Sequence, residues 1–312
     1  MRAVVFDQFG PPHVLRIAEV PLPKASPGTV VVRVAGATVN ATDLMMRSGQ
    51  QSNRMTELKP PFIGGQEFSG YVHELGEPSD RLRVGQHVMG IVNPRRPQGG
   101  AHAEYVCVPE ASVVPVADES DLVEMATVPM NGLTALVVMR TLDLPAGATL
   151  LVTGGAGAVG GYAIQMAREA GLSVIADAKE EDRDLLIRLG AARVVPRGEG
   201  MGQAIRTTHP NGVDGMLDAA LIGDAAAALV RDGGIVAYVR STQVFDTRRL
   251  RVKYVGVLEH VSDTNALAWL SEKVRSKMLT PRVSHRIPLA DAVAAHQLVE
   301  KGGLRGRVVL IP

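Results

Sequence analysis

One stretch near the middle of the chain limits its fold more than any other: Leu150-Leu151-Val152-Thr153-Gly154-Gly155-Ala156-Gly157-Ala158-Val159-Gly160. An apolar run passes into Gly154, Gly157 and Gly160 and then into a helical pattern. Val159, Ala163, Met166, Ala167 and Ala170 share one helix face, and Gly171 is placed to end it. Each glycine has a physical reason. Gly154 permits a sharp turn out of the strand, a bare Gly157 lets the backbone approach a pyrophosphate, and Gly160 lets the helix pack on the sheet. The helix start offers N–H groups to phosphate, with Ala156, Ala158 and Val159 completing the receiving turn. A glycine pattern alone would also suit a tight turn that binds nothing; the strand–turn–helix context is what makes it a dinucleotide signal.

The flanking segments agree with an α/β class. From Leu122 onward, strands predicted at Thr149 to Thr153, Leu172 to Ala176, Val213 to Asp218, Ile235 to Val239 and Tyr254 to Leu258 alternate with helices. One helix carries Leu185, Leu186 and Leu189 and stops at Gly190; an Ala-rich crossover helix spans Asp224 to Val230. This succession predicts a parallel, doubly wound sheet. Before residue 122 the chain reads as a small β-rich domain. Strands at Val30 to Val34, Phe68 to Leu75, His87 to Val92 and Tyr105 to Val108 are punctuated by prolines. Leu267, Leu270, Val274 and Met278 mark a further helix, after which Val283 to Ile287 and Val308 to Ile311 return to strand.

Composition narrows the partners. A length of 312 residues suits about two domains of roughly 100–200 residues. The charge balance, 33 − 32 = +1, gives no electrostatic reason to expect nucleic acid or an anionic membrane. The uncharged run Leu144 to Ala167 is broken by glycines and Pro145 and is not a membrane helix. The start shows no signal peptide, and the single cysteine, Cys107, excludes an internal disulfide and any multi-cysteine zinc site. Cys107 reads as a small buried side chain in its strand, and the setting as cytoplasmic.

Cofactor choice rests on the end of the second strand, Ala176-Asp177-Ala178-Lys179. Asp177 suits the ribose 2′-hydroxyl of NAD. Lys179, Arg183 and Arg197 could instead surround the 2′-phosphate of NADP. Lys179 and Arg183 equally suit a solvated helix start beside Glu180, Glu181 and Asp182. The residues alone leave both open.

Six landmarks run in order: Gly65-Gln66-Glu67-Phe68-Ser69-Gly70, Val84 to Gly90, Gly99 to Tyr105, Asn131 to Ala135, the glycine turn, and Gly306 to Leu310. With them the chain resembles the medium-chain dehydrogenase/reductase superfamily, and more narrowly its zinc-free quinone oxidoreductase branch. The resemblance implies a GroES-like β domain from residues 1–121, completed by residues 262–312. An inserted Rossmann domain, residues 122–261, and an active-site cleft are implied with it. It tips the cofactor toward NADPH without excluding NADH, and it implies a homodimer. Where zinc-containing relatives place Cys, His and Cys, this chain has Asn40, Gln66 and a position near Met130, and its eight histidines lack ligand spacing, so no metal is expected. His296 reads as a residue packed on its helix face.

Without a metal, the implied chemistry is hydride transfer from NADPH to a quinone or an α,β-unsaturated carbonyl. An enoyl-thioester reductase and a non-catalytic NADP(H) binder are the alternatives. The segment Asn40-Ala41-Thr42-Asp43-Leu44-Met45-Met46-Arg47 puts Met45 where the family typically has tyrosine, removing the usual phenolic donor. The proton then comes from water, or another polar group supplies the hydrogen bond, or catalysis has been lost. Asn40 and Asp43 are the catalytic candidates, Asp43 being equally a helix cap. Met45, Met46 and Phe62 suit either an apolar pocket or core filler. Thr134 matches a residue near the nicotinamide, or bonds its own helix. Leu221, Val239, Ser241 and Leu258 sit at expected carboxyl ends of strands, where such sheets hold cofactors, or are ordinary loop residues.

Overall fold

The computed structural model describes residues 1–77, 79–240, 245 and 248–312. In chain order the strands are β1 Arg2–Phe6, β2 Arg16–Glu19, β3 Thr29–Val39, β4 Phe62–Ile63, β5 Glu67–Leu75, β6 His87–Ile91, β7 Tyr105–Pro109 and β8 Val113–Pro115. They continue with β9 Thr149–Thr153, β10 Ser173–Ala178, β11 Arg193–Pro196, β12 Val213–Asp218, β13 Val230–Tyr238, β14 Arg251–Tyr254, β15 Val283–Pro288 and β16 Arg307–Ile311. The helices are α1 Ala41–Arg47, α2 Leu122–Met125, α3 Pro129–Leu142, α4 Ala158–Glu169, α5 Arg183–Leu189, α6 Gly200–Arg206, α7 Asp224–Ala227, α8 Thr264–Arg275 and α9 Ala292–Lys301.

The chain divides into two compact units. The first holds Met1–Met130, Leu258–Ser276 and Pro281–Pro312, and the second Asn131–Val257 with Lys277–Thr280. The first unit is β-rich, as its proline-punctuated strands predict. A three-stranded sheet runs β2-β1-β4, and a larger sheet runs β15-β16-β3-β5-β6-β8, with β7 also paired to β3. The length of β3 does the organising. Its N-terminal half pairs β7 from Thr29 to Arg33, while its last residues pair β16 as Val39↔Val308 and Thr38↔Val309. The two strands after residue 280 therefore complete this sheet. Valine and phenylalanine side chains from β3, β5, β6 and β7, among them Val30, Val32, Phe68, Val88 and Val106, fill the interior. Cys107 differs from its expected burial: it lies on the less buried face of β7, its thiol near the Lys24 carbonyl at 3.7 Å.

The second unit carries one fully parallel sheet in the order β11-β10-β9-β12-β13-β14. Counted from its first strand, that is the 3-2-1-4-5-6 order of dinucleotide-binding sheets. All five residues of β9 are buried, as a central parallel strand requires. Leu151, Ile175, Met216 and Val236 form the core with Met201 and Ile205 of α6. Two expectations need correction. The strand foreseen at Tyr254 to Leu258 is β14, which ends at Tyr254, and Val257–His260 is a 3-10 turn. The crossover helix foreseen to Val230 stops at Ala227, because Val230 already pairs with Val213. Among the described residues, no helix is long and apolar enough to cross a membrane.

Candidate functional site

In the second unit the glycine turn joins β9 directly to α4. Gly154 has φ +69°, a conformation side chains rarely adopt. Gly160 is held by close approach, since a Cβ there would sit 2.4 Å from the Gly154 carbonyl oxygen. Gly157 is different. Its backbone, φ −72° and ψ 175°, suits any residue, and among the described residues a Cβ would meet the Gly154 oxygen alone, at a tight 3.1 Å. Its backbone angles do not demand glycine at 157. Glycine at the N-cap leaves α4 without a capping side chain from that position.

The neighbouring strand ends converge on this turn. Asp177, on β10, is fully buried, and its carboxylate accepts from the Gly154 N–H at 2.5 Å and from Arg197 Nε at 2.9 Å. The buried carboxylate thus fastens the turn to β10 and grips the guanidinium by its inner nitrogen. The Arg197 side chain remains 42% exposed. Lys179 lies just beyond β10, exposed, 3.8 Å from Glu181. Sequence reasoning picked out Asp177, Lys179 and Arg197 singly. The structure brings Asp177 and Arg197 together and leaves Lys179 at the rim.

Asp218, which sequence reasoning missed, closes the next edge. At the end of β12 it accepts from Thr153 Oγ1 at 2.6 Å and from the Ile222 and Gly223 N–H groups at 3.1 and 2.8 Å. An acid ending a buried strand was the available signal. These bonds hold Leu221 at φ +62° with its side chain 40% exposed, a strained and wasteful place for a leucine with only a structural role. Val239 directly follows β13, and Ser241 lies outside the described residues. Thr134 is buried within the first half of α3. Leu258 is not at a strand end: it falls in the 3-10 turn and in the first unit.

In the first unit, strand register assembles a second polar cluster. Phe68↔Ala37 pairing sets Glu67 beside Thr38, and Val308↔Val39 pairing brings Arg307 to Asn40. Glu67 accepts from Thr38 Oγ1 at 2.5 Å, Asn40 Nδ2 at 3.1 Å and the Met130 N–H at 2.8 Å. Burial raises its carboxyl above the ordinary range, against the pull of Arg307 and of these donors. Asn40 also donates to Thr38 Oγ1 at 2.8 Å, and its carbonyl oxygen accepts from Arg307 Nη2 at 2.5 Å. Asp43 completes a capping box by accepting from the Asn40 N–H at 2.8 Å, and its other oxygen accepts from the Gly65 N–H at 2.9 Å. Both side chains visibly organise the backbone around α1.

This cluster does not fit zinc. The positions that would supply ligands are amides and a methionine, and a guanidinium is bonded to the Asn40 oxygen. Among the described residues, no group of three or more His, Cys, Asp or Glu side chains could hold a metal. Met46 packs in the core with Phe6, Met55 and Leu289, and Phe62 packs against that core. Met45, half-buried, instead has the Gln51 amide nitrogen 4.0 Å from its sulfur.

Comparison with known proteins matches residues 26–118 to the alcohol dehydrogenase GroES-like domain and residues 189–310 to the zinc-binding dehydrogenase family. The solved quinone oxidoreductase from Coxiella burnetii is 29% identical, with TM-score 0.90, over 100% of this chain and 99% of that one. A probable oxidoreductase from Mycobacterium abscessus is 30% identical with TM-score 0.84, over 100% and 99%. The NADPH-dependent alkenal/one oxidoreductase of Arabidopsis thaliana is 26% identical over 100% of this chain and 80% of its own. Three other curated relatives, 30–33% identical, are longer: the chain spans about half the length of each (52%, 52% and 51%).

Proposed function

Because the chain belongs to the medium-chain dehydrogenase/reductase superfamily, we propose that it is an NADPH-dependent oxidoreductase that passes hydride to a quinone or an α,β-unsaturated carbonyl. The carrying observation is the glycine turn itself: Gly154, at φ +69°, and Gly160, packed against the Gly154 oxygen, lead β9 into α4, and Gly157, whose backbone suits any residue, has no side chain at the N-cap. Ala156 to Gly160 would hold the pyrophosphate, with Leu221, Val239 and Thr134 around the rest of the nucleotide. When bound, NADPH supplies the hydride. The chain's part is to bind, orient and exclude water. The donor set around Asn40 argues for carbonyl acceptors already electrophilic enough to need no metal.

The phosphate preference follows from the Asp177–Arg197 pair. Asp177 commits one oxygen to Gly154 and the other to Arg197, so it is poorly placed to receive a ribose hydroxyl. Held by Nε, Arg197 offers its outer nitrogens to a 2′-phosphate, with Lys179 nearby in sequence on the same edge. Lys179→Ala and Arg197→Ala are each expected to weaken NADPH about 10-fold or more while NADH changes little, from roughly 1.5–3 kcal/mol per charge-assisted bond. Equal losses for both nucleotides in a binding titration would remove the phosphate pocket.

Relatives named quinone oxidoreductase and alkenal/one oxidoreductase support the substrate class. The exposed edge strand β14, with Tyr254 on it, supports a homodimer, and a cytoplasmic setting completes the reading. The test is NADPH oxidation with quinones, enones and enoyl thioesters, with and without a chelator. Turnover on a quinone or enone that survives the chelator is expected. Turnover on thioesters alone points to a carrier-bound chain, and tight NADPH binding without any turnover to a non-catalytic binder.

A further inference from the structure

Leu221 lies in the loop between β12 and α7, within the second unit. Hydrogen bonds to two buried side chains shape that loop. The Ala220 N–H donates to Thr153 Oγ1 at 3.1 Å, and the Ile222 and Gly223 N–H groups donate to the two oxygens of Asp218 at 3.1 and 2.8 Å. Thr153 Oγ1 in turn donates to Asp218 at 2.6 Å, so the ends of β9 and β12 grip the loop together. Held in this way, Leu221 adopts φ +62°, a left-handed conformation that a branched side chain disfavours. The core gives little in return. Ile222 packs against the core of the unit, whereas Leu221 stays 40% exposed. Glycine would take this backbone without the steric cost. A strained side chain that the fold does not need points to a ligand.

Sheet order says which part of a nucleotide would lie there. The order β11-β10-β9-β12-β13-β14 reverses between β9 and β12, and dinucleotides bind across the carboxyl ends of the strands at such a point. The loop stands against the glycine turn, since a Cβ on Gly154 would lie 3.2 Å from the Ala220 nitrogen. Asp177 ends β10 and Arg197 follows β11, so this pair marks the adenosine side, on the flank of β9 away from β12. With the pyrophosphate at the turn and the adenosine over β10, the nicotinamide half extends over β12 and meets Leu221.

We propose that Leu221 is the apolar contact for the nicotinamide half of the nucleotide, and that Thr153 and Asp218 are the positioning residues that hold it there. This rests on the NADPH reading above. The free protein carries strain at residue 221, and the nucleotide covers the leucine that stands exposed without it. Stability and binding are therefore opposed at this one position. Removing the side chain relieves the backbone and removes the contact, and each effect can be read without the other.

The experiment uses thermal unfolding without nucleotide, and titrations with NADPH and with adenosine 2′,5′-bisphosphate, which lacks the nicotinamide half. Leu221→Gly should unfold at a higher temperature than wild type, because glycine accepts φ +62°. It should nevertheless bind NADPH about 10-fold more weakly, the lower end for a leucine side chain left uncovered. Leu221→Ala should lose the same affinity without the gain in stability, since its Cβ keeps the strain. Leu221→Met retains an apolar side chain and should bind NADPH nearly as wild type does. Thr153→Val removes the hydroxyl from Ala220 and Asp218, so it should weaken NADPH several-fold, and Thr153→Ser should restore it. Adenosine 2′,5′-bisphosphate should bind every variant as it binds wild type. Wild-type NADPH affinity in Leu221→Gly and Leu221→Ala overturns the assignment, and so does an equal loss for NADPH and the bisphosphate. A Leu221→Gly protein no more stable than wild type overturns the strain. If wild type binds neither ligand, the nucleotide reading falls and the role of Leu221 falls with it. If Thr153→Val does not fold, Asp218→Asn decides the positioning role by the same two titrations.

Discussion

Gly157→Asp should lower NADPH affinity at least ~100-fold, close to 3 kcal/mol, while leaving thermal stability unchanged or slightly raised. The two effects have opposite signs because the residue has two neighbours. Its extended backbone, φ −72° and ψ 175°, is that of a helix N-cap. Aspartate is among the best N-caps, and its carboxylate also favours the positive end of the helix dipole. That same carboxylate would occupy the approach meant for a phosphate and repel it. Gly160→Ala makes the control: its Cβ, 2.4 Å from the Gly154 oxygen, must displace backbone, so it should lose stability as well as binding. Nucleotide titration together with thermal unfolding reads both. A Gly157→Asp protein that binds NADPH normally would falsify the pyrophosphate site.

The second large effect is acid destabilisation through His296. This side chain lies on α9, 2% exposed, and neither ring nitrogen has a hydrogen-bond partner. His102 packs against it edge to face at 5.9 Å. Burial first, then the His102 and Arg47 charges, push its pKa down to about 2. The folded chain therefore keeps the ring neutral, while the unfolded chain takes up a proton below about 6.5. The stability conferred by the neutral ring is present above that value and is lost as pH falls from it toward 2. The slope is about 1.4 kcal/mol per pH unit, so about 2 kcal/mol should disappear between pH 6.5 and pH 5. His296→Leu removes both the proton linkage and the two unsatisfied nitrogens. Denaturant unfolding at the two pH values should show the variant losing about 2 kcal/mol less than wild type, and an equal loss in both would contradict this account.

Local pattern carried most of the second unit. The buried strands Thr149–Thr153 and Val213–Asp218 have the bounds the apolar runs predict, and Gly190, at φ +113°, ends α5 where expected. Edge elements were harder. β14, Arg-Val-Lys-Tyr, is exposed and charged, so its pairing with β13 supplies what its composition does not. The apolar residues after it drew the reading too far along the chain. His296 packs on the face of α9, as its place in the helix predicts, but the state of its ring nitrogens depends on what packs over it.

Site chemistry depended on register rather than on motif. Asp177 and Arg197 were each visible as options for opposite cofactors. Only the parallel pairing of β10 with β11 makes them one pair. Arg307 meets Asn40 because β16 returns beside β3, a contact across the whole chain that no local window contains. Gln66 is a poor zinc ligand, and its Oε1 accepts from the Thr42 hydroxyl, a bond that its motif alone does not show.

The most direct test of hydride transfer without a metal uses NADPH carrying deuterium at the transferable position, an enone acceptor and a chelator. The predicted product contains one deuterium, on the β-carbon, formed at a rate the chelator leaves unchanged. A product without deuterium, or a reaction abolished by the chelator and restored by zinc, would contradict the account.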